Sequence, residues 1–261
     1  MTWIEALILG IIQGLTEFLP VSSSGHLEIG KVLLNVEVKK DLTFTVIVHF
    51  ATVLSTITVF FGEIKELGRG LFAFRWNTET KYVTKILVSM IPVLIVGILF
   101  KDEVESLFSG NLHMVGAALL VTATLLISTQ LVKAGTKKIP IPDALLMGIA
   151  QAIAVIPGIS RSGATISTGL LLKNDRSEVA RFSFLMVLIP IIGAALLDIL
   201  TLSSSNGEPA ISTGSLIIGF FAAYISGYLA CTWMIRLVKK GNLYWFALYC
   251  AVVGIIAIIF S

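Results

Sequence analysis

Charge is scarce in this chain. Of its 261 residues only 13% are Asp, Glu, Lys or Arg, while 56% are hydrophobic, and the mean hydropathy is +0.94. Soluble domains carry roughly twice that share of charge, so an ordinary soluble domain is excluded and an integral membrane protein is indicated. The net charge is a mere +3, and no nucleic-acid partner is expected. Cysteine is nearly absent too. Cys231 and Cys250 both fall in apolar stretches, which excludes a disulfide framework and a cysteine metal site. No Lys or Arg precedes the first apolar run, and Glu5 stands inside it, so a cleaved signal peptide is not expected.

What the chain does have is length in its apolar runs. A helix needs ~20 apolar residues to cross a bilayer. Six stretches qualify, at roughly 41–61, 82–101, 113–133, 178–201, 212–237 and 243–260. The chain also repeats itself. Shifting Gln13-Gly-Leu-Thr-Glu17-Phe-Leu-Pro20-Val-Ser22-Ser23-Ser24-Gly25-His26 by 138 positions superimposes it without a gap on the segment from Gln151 to Gly163 and beyond. Ala6, Leu7, Gly10, Ile11, Gln13, Ser22, Ser24, Gly25 and Phe44 each meet an identical residue, and Glu5 meets Asp143. A shared Gln, two Ser and a Gly in one register point to an internal duplication. The expected organisation is a single membrane domain, 1–261, with one repeat over about 1–134 and the other over about 139–261.

Each repeat begins with a broken apolar segment. Residues 2–19 are apolar but carry Glu5, Gln13 and Glu17; Pro20 ends the run, and Ser22–Gly25 open a second short helix, expected near 25–35. Two short helices joined by a polar turn read as a re-entrant hairpin, which is tolerated at membrane depth only against protein or a watery cavity. The matching hairpin lies at about 143–173.

Loop charge sets the topology. Lys65, Arg69, Arg75 and Lys81 fall in the loop at 62–81, Lys133, Lys137 and Lys138 at 133–142, and Arg236, Lys239 and Lys240 near 236–242, whereas 102–112 and 202–211 carry neither Lys nor Arg. Positive loops stay cytoplasmic. Both termini then fall outside, together with Lys31, Lys39 and Lys40, which run against the rule. The two hairpins enter from opposite sides. The predicted fold is therefore an all-α membrane protein with an inverted-topology repeat, each half a re-entrant helical hairpin followed by three transmembrane helices. Such folds bind near the midplane, where broken helices meet.

The chemistry-bearing residues gather in the two turns. They are Glu17, Ser22–Ser24 and His26 in the first, and Ser160, Arg161 and Ser162 in the second. An intramembrane charge costs at least ~2.5 kcal/mol and marks a functional site by default. Free N–H groups at a helix start attract anions, and a guanidinium fork matches phosphate oxygens. Two such starts around Arg161 suit a pyrophosphate. Glu17 and His26 add an acid, base or nucleophile, and the serines add hydroxyls. Blander readings stand beside these. Serine at a helix start is a cap more often than a nucleophile, a lone His26 after glycine is usually structural, His49 in an apolar helix reads as a satisfied buried group, and Glu28 with Lys31 reads as a pair along a helix face. Asp198 reads as a hydrated residue near the outer end of its span. The residues leave open which serine attacks, or whether His26 does.

At this point a resemblance enters. Gln13 to His26, Pro157-Gly-Ile-Ser160-Arg161-Ser162-Gly163-Ala-Thr165, and Arg181-Phe-Ser-Phe-Leu-Met186 resemble the motifs of the BacA-type undecaprenyl-pyrophosphate phosphatases, the bacitracin-resistance proteins, over essentially the whole chain. The resemblance implies hydrolysis of undecaprenyl pyrophosphate to undecaprenyl phosphate and inorganic phosphate. That reaction recycles the lipid carrier of cell-wall synthesis at the outer side of a bacterial cytoplasmic membrane. By position it implies Ser23 as nucleophile with His26 and Glu17 as catalytic partners. Arg161 would clamp the pyrophosphate, with Ser22, Ser24, Gly25, Ser160, Ser162, Thr165 and Gln13 as further contacts. It also implies a divalent cation, Mg²⁺ or Ca²⁺, at Glu17, although many members have Glu where Gln13 stands. The expected partners are the polyprenyl pyrophosphate lipid, membrane lipids and a second copy of the chain in a homodimer. An inverted repeat with re-entrant hairpins is also transporter architecture, so a flippase for polyprenyl phosphate is the competing reading. Phosphate release in detergent separates the two.

Overall fold

A computed structural model describes residues 1–34, 42–107, 111–133, 135–204 and 211–260. Lys39, Lys40, most of the 202–211 loop and the Asp198 side chain lie outside the described residues. The described chain is helical. In order come α1 Trp3–Phe18, α2 Ser23–Leu33, α3 Leu42–Val59, α4 Phe61–Phe72, α5 Thr78–Leu99, α6 Lys101–Leu107, α7 Leu112–Ser128, α8 Ile141–Ile153, α9 Arg161–Leu171, α10 Arg176–Ser204, α11 Thr213–Lys240 and α12 Tyr244–Ile259. Each of the six apolar runs forms a helix. Among the described residues, α5, α7 with its terminal turn, and α11 are long and apolar enough to cross a membrane, and α3 joins them if it is counted with α4, from which it bends by 75°. This is a multi-pass membrane protein.

Local sequence sets the helix boundaries. Thr2 and Glu5 form a capping box that starts α1. Ser22 caps α2 by accepting from the Gly25 N–H at 3.3 Å, and Ser160 caps α9 by accepting from the Gly163 N–H at 3.1 Å. The second helix thus starts about two residues earlier than expected, because Ser22 rather than Gly25 is the last non-helical residue. Gly241 ends α11 in the left-handed conformation, φ +76°, a position that favours glycine.

The hairpin helices recur at a fixed offset. From Trp3 to Ile141 at the starts of α1 and α8, from Ser23 to Arg161 at the starts of α2 and α9, and from Leu33 to Leu171 at their ends, the spacing is 138 residues.

Close helix crossings use glycine. A Cβ on Gly10 of α1 would lie 2.6 Å from the Gly219 carbonyl of α11, and a Cβ on Gly148 of α8 would lie 2.2 Å from the Ser89 carbonyl of α5. Gly116 of α7 and Gly254 of α12 face each other, each within 2.8 Å of the other's carbonyl by the same measure. Small residues let backbones approach where lipid supplies no hydrophobic force between helices. The core between the helices is built around Phe182, Phe184, Met186, Phe18 and Leu119. Below it, Lys137 lies 2.8 Å from Asp143, and the Asn174 amide donates to the same carboxylate oxygen at 2.8 Å. These contacts tie the basic 133–142 segment to the turn that follows α9.

These crossings predict a sharp contrast. Gly148→Val should lower the melting temperature of the detergent-purified protein by an amount matching ~1–3 kcal/mol of overpacking. Gly62→Ala, where an added Cβ meets nothing within 4 Å, should not lower it. Equal melting of the two variants refutes the close packing of α8 on α5.

Candidate active site

The two hairpin turns interlock. A Cβ on Gly25 would sit 3.2 Å from the Gly158 Cα, and one on Gly163 would sit 3.3 Å from the Pro20 Cβ. Gly158 has φ +98°, a conformation that a side chain would strain. Ser162 Oγ donates to the Leu19 carbonyl at 3.3 Å, and the Ser160 N–H donates to Thr122 Oγ1 at 2.9 Å. The starts of α2 and α9 are thereby pressed together. Ser22, Ser23, Ser24, Ser160, Arg161, Ser162 and Glu17 line one small recess of about 20 Å³.

Glu17 is the hub of this recess. Its side chain is only 5% exposed. Oε2 accepts from the Ser23 hydroxyl at 2.6 Å and from the Gln13 amide at 3.0 Å. Oε1 faces Arg161 Nη2 at 3.9 Å. A buried carboxylate needs such partners, and here they come from both hairpins. Arg161, the first residue of α9, remains 31% exposed at its side chain, so its guanidinium is open to a ligand.

The remaining sequence-derived residues divide. Ser22 combines cap and strain: it sits at φ +70° and its hydroxyl lies 3.4 Å from that of Ser24. Ser160 and Ser162 repeat that contact at 3.3 Å. Gly25 serves the close approach of the turns. Thr165 is drawn away from the recess, its hydroxyl bonded to the Arg161 carbonyl at 2.9 Å and to Ser183 Oγ at 2.6 Å. His26 is not brought into the cluster either. Its Nδ1 lies 2.8 Å from the Ser22 carbonyl and must donate to it, so in the neutral ring Nε2 accepts from the Tyr249 hydroxyl, also at 2.8 Å. The two rings lie nearly parallel, 15° apart.

A larger cavity of about 720 Å³ opens from Ser23, Ser24 and Arg161. Its polar wall holds Glu28, Lys31, Thr45 and His49, and its apolar wall holds Met90, Val93, Leu94, Ile98, Ile189 and Pro190. Lys31 and Glu28 pair at 3.6 Å, as their helical spacing predicts. His49 was missed as a site residue: within an apolar helix, nothing local signals that it faces a cavity shared with Arg161.

The donor set does not fit a protein-held divalent cation. Glu17 is the only carboxylate among the residues lining the recess, and both of its oxygens face protein donors. Gln13 supplies an amide where a second carboxylate would stand, and its Oε1 is buried without a partner. Among the described residues, no group of three or more His, Cys, Asp and Glu lies together.

Known proteins resemble this chain over nearly its whole length. Residues 6–256 match the family described as Bacitracin resistance protein BacA. The chain belongs to this family. Among its BacA relatives, an undecaprenyl-diphosphatase from Bacteroides fragilis is 54% identical over 100% of this chain and 99% of its own length. One from Parabacteroides distasonis is 54% identical over 99% and 98%, and one from Methanobrevibacter smithii is 36% identical over 98% and 96%.

The geometry of His26 in this BacA protein yields an expectation. Tyr249→Phe removes the only side-chain partner that His26 shows, so it should cost about 1 kcal/mol of stability, seen as a lower melting temperature. Phosphate release should stay within about tenfold of wild type. A complete loss of turnover in a folded Tyr249→Phe variant would contradict the positioning role read here for His26.

Proposed function

We infer that this protein hydrolyses undecaprenyl pyrophosphate to undecaprenyl phosphate and inorganic phosphate. This activity recycles the lipid carrier of cell-wall synthesis and underlies bacitracin resistance. The observation that carries the reading is the 2.6 Å bond from the Ser23 hydroxyl to Glu17 beside the Arg161 guanidinium. A nucleophile, its base and a phosphate clamp stand in one recess at two helix starts. The adjoining cavity is apolar enough for a polyprenyl chain.

The reaction follows from this arrangement. Arg161 and the N–H groups at the starts of α2 and α9 hold the terminal phosphate. Ser23 Oγ forms a bond to its phosphorus, the Ser23 proton passes to Glu17 Oε2, and the bridging P–O bond breaks, releasing undecaprenyl phosphate. Glu17 gives that proton to the departing lipid phosphate. Water then attacks the phosphoserine while Glu17 takes one of its protons, and Glu17 passes that proton to Ser23 Oγ as the Ser23–phosphorus bond breaks and inorganic phosphate leaves. Gln13 orients the carboxylate, Ser22 and Ser160 hold the helix starts, and Ser24 and Ser162 offer hydroxyls to the phosphate. His26 acts through the Ser22 carbonyl, fixing the turn in which Ser23 stands. No step requires a bound metal.

The fold reading belongs with this function. An inverted repeat of about 1–134 on about 139–261 is supported by the constant 138-residue offset of the hairpin helices. It is supported as well by exchanged pairings: α1 packs on α11 through Gly10, and α8 packs on α5 through Gly148, the residue 138 positions on. The loop charges support hairpins that enter from opposite sides and a site near the midplane. Cysteines placed at Asn206 and Lys138 should label from outside and inside respectively, and labelling of both from one side sinks the inverted topology.

Substitution tests the chemistry. Ser23→Ala should lower phosphate release from a polyprenyl pyrophosphate by several orders of magnitude while the protein stays folded. Arg161→Ala should nearly abolish it, and Arg161→Lys, which loses the planar fork, should remain damaging. A folded, active Ser23→Ala variant ends the serine-nucleophile reading. If that variant is active while His26→Gln is dead, the nucleophile is His26.

A further inference from the structure

The recess at Ser23 and Arg161 is small, about 20 Å³, and Ser23, Ser24 and Arg161 also line the larger cavity beside it. A pyrophosphate has two phosphates, so only the terminal one reaches the helix starts. The second, carrying the polyprenyl chain, must lie in the 720 Å³ cavity. It bears the charge that grows when the bridging bond breaks, and an anion in a largely apolar cavity needs a donor.

The lining of that cavity contains few ionisable groups: Glu28, Lys31, His49 and Arg161. Arg161 is committed to the recess. Lys31 is buried and already balanced by Glu28 at 3.6 Å, whose other oxygen, Oε2, is unpartnered and repels an anion. His49 differs. Its Nδ1 lies 2.8 Å from the Thr45 carbonyl and therefore donates along its own helix. Nε2 is left for the cavity. The ring lines the same cavity as Ser23, Ser24 and Arg161.

We propose that His49 binds the lipid-borne phosphate through Nε2, and so holds the leaving group while Arg161 holds the phosphate that is attacked. The proposal rests on the phosphatase reading above. It makes the cavity a two-phosphate site: one phosphate on the paired helix starts, the other on α3. His49 is then a determinant of specificity for pyrophosphates over monophosphates, and of affinity for the lipid product.

The test separates the two phosphate positions through the two products. With purified protein in detergent and farnesyl pyrophosphate as substrate, inhibition is measured for farnesyl monophosphate and for inorganic phosphate. In His49→Leu the inhibition constant for farnesyl monophosphate should rise about tenfold to hundredfold, the scale of one charge-assisted hydrogen bond. That for inorganic phosphate should change by less than about threefold. His49→Gln, which restores a donor, should recover most of the loss. His49→Asn, whose shorter donor stops short of the phosphate, should resemble Leu and serves in its place if the Leu variant does not fold. An unchanged constant for farnesyl monophosphate, or equal rises for both products, overturns the proposal. A wild-type protein that releases no phosphate from farnesyl pyrophosphate would instead overturn the phosphatase reading itself.

Discussion

A carboxylate held at membrane depth governs this molecule. Glu17 is buried in a protein whose surroundings offer no water to solvate it, and an unsatisfied charge there is among the most costly groups a fold can carry. Its solution is local and distant at once. Gln13 and Ser23 come from its own hairpin, and Arg161 comes from the other. The interlocked turns, the strained Ser22, the positive φ of Gly158 and the glycine crossings all serve to bring that guanidinium to that carboxylate.

Chemistry and stability therefore coincide in the same contacts. In the proposed mechanism, the hydroxyl that satisfies Glu17 is also the one that attacks phosphorus, and the cation that neutralises it is the one open to the substrate. Helix starts supply the remaining positive potential without any further buried charge. A lipid pyrophosphate fits this economy because its two halves want opposite surroundings. In that proposal the anionic end meets the paired turns, and the chain meets the apolar wall of α5 and α10.

Much of this was legible in the sequence because the duplication preserves register. Ser22 and Ser160, Gly25 and Gly163, and Gly10 and Gly148 keep their offset, and the helices they start or pack follow. Arg161 and Glu17 were legible because charge is so rare in the hairpins that each one stands out. What escaped was anything decided by a distant helix. His26 could be read from its turn as structural or as catalytic, but its partner could not be read: Tyr249, over two hundred residues on, lies 2.8 Å from its Nε2. His49 looked like a satisfied buried group, since its own helix is largely apolar and only the opposing wall makes it a cavity residue. The withdrawal of Thr165 likewise depends on Ser183 across a helix contact. Periodicity and motif report what a residue can do; the facing element decides whether it is asked to.

The pairing of Glu17 with Arg161 also has a meaning in time. The two residues are separated by roughly 140 positions of chain. At a synthesis rate of ~5–20 residues per second, the acid emerges about seven to thirty seconds before its counter-ion. Through that interval the first half of the protein sits at the membrane with its central charge unanswered. The nascent protein thus cannot settle half by half, and its first hairpin takes its final form only when the second arrives to close it.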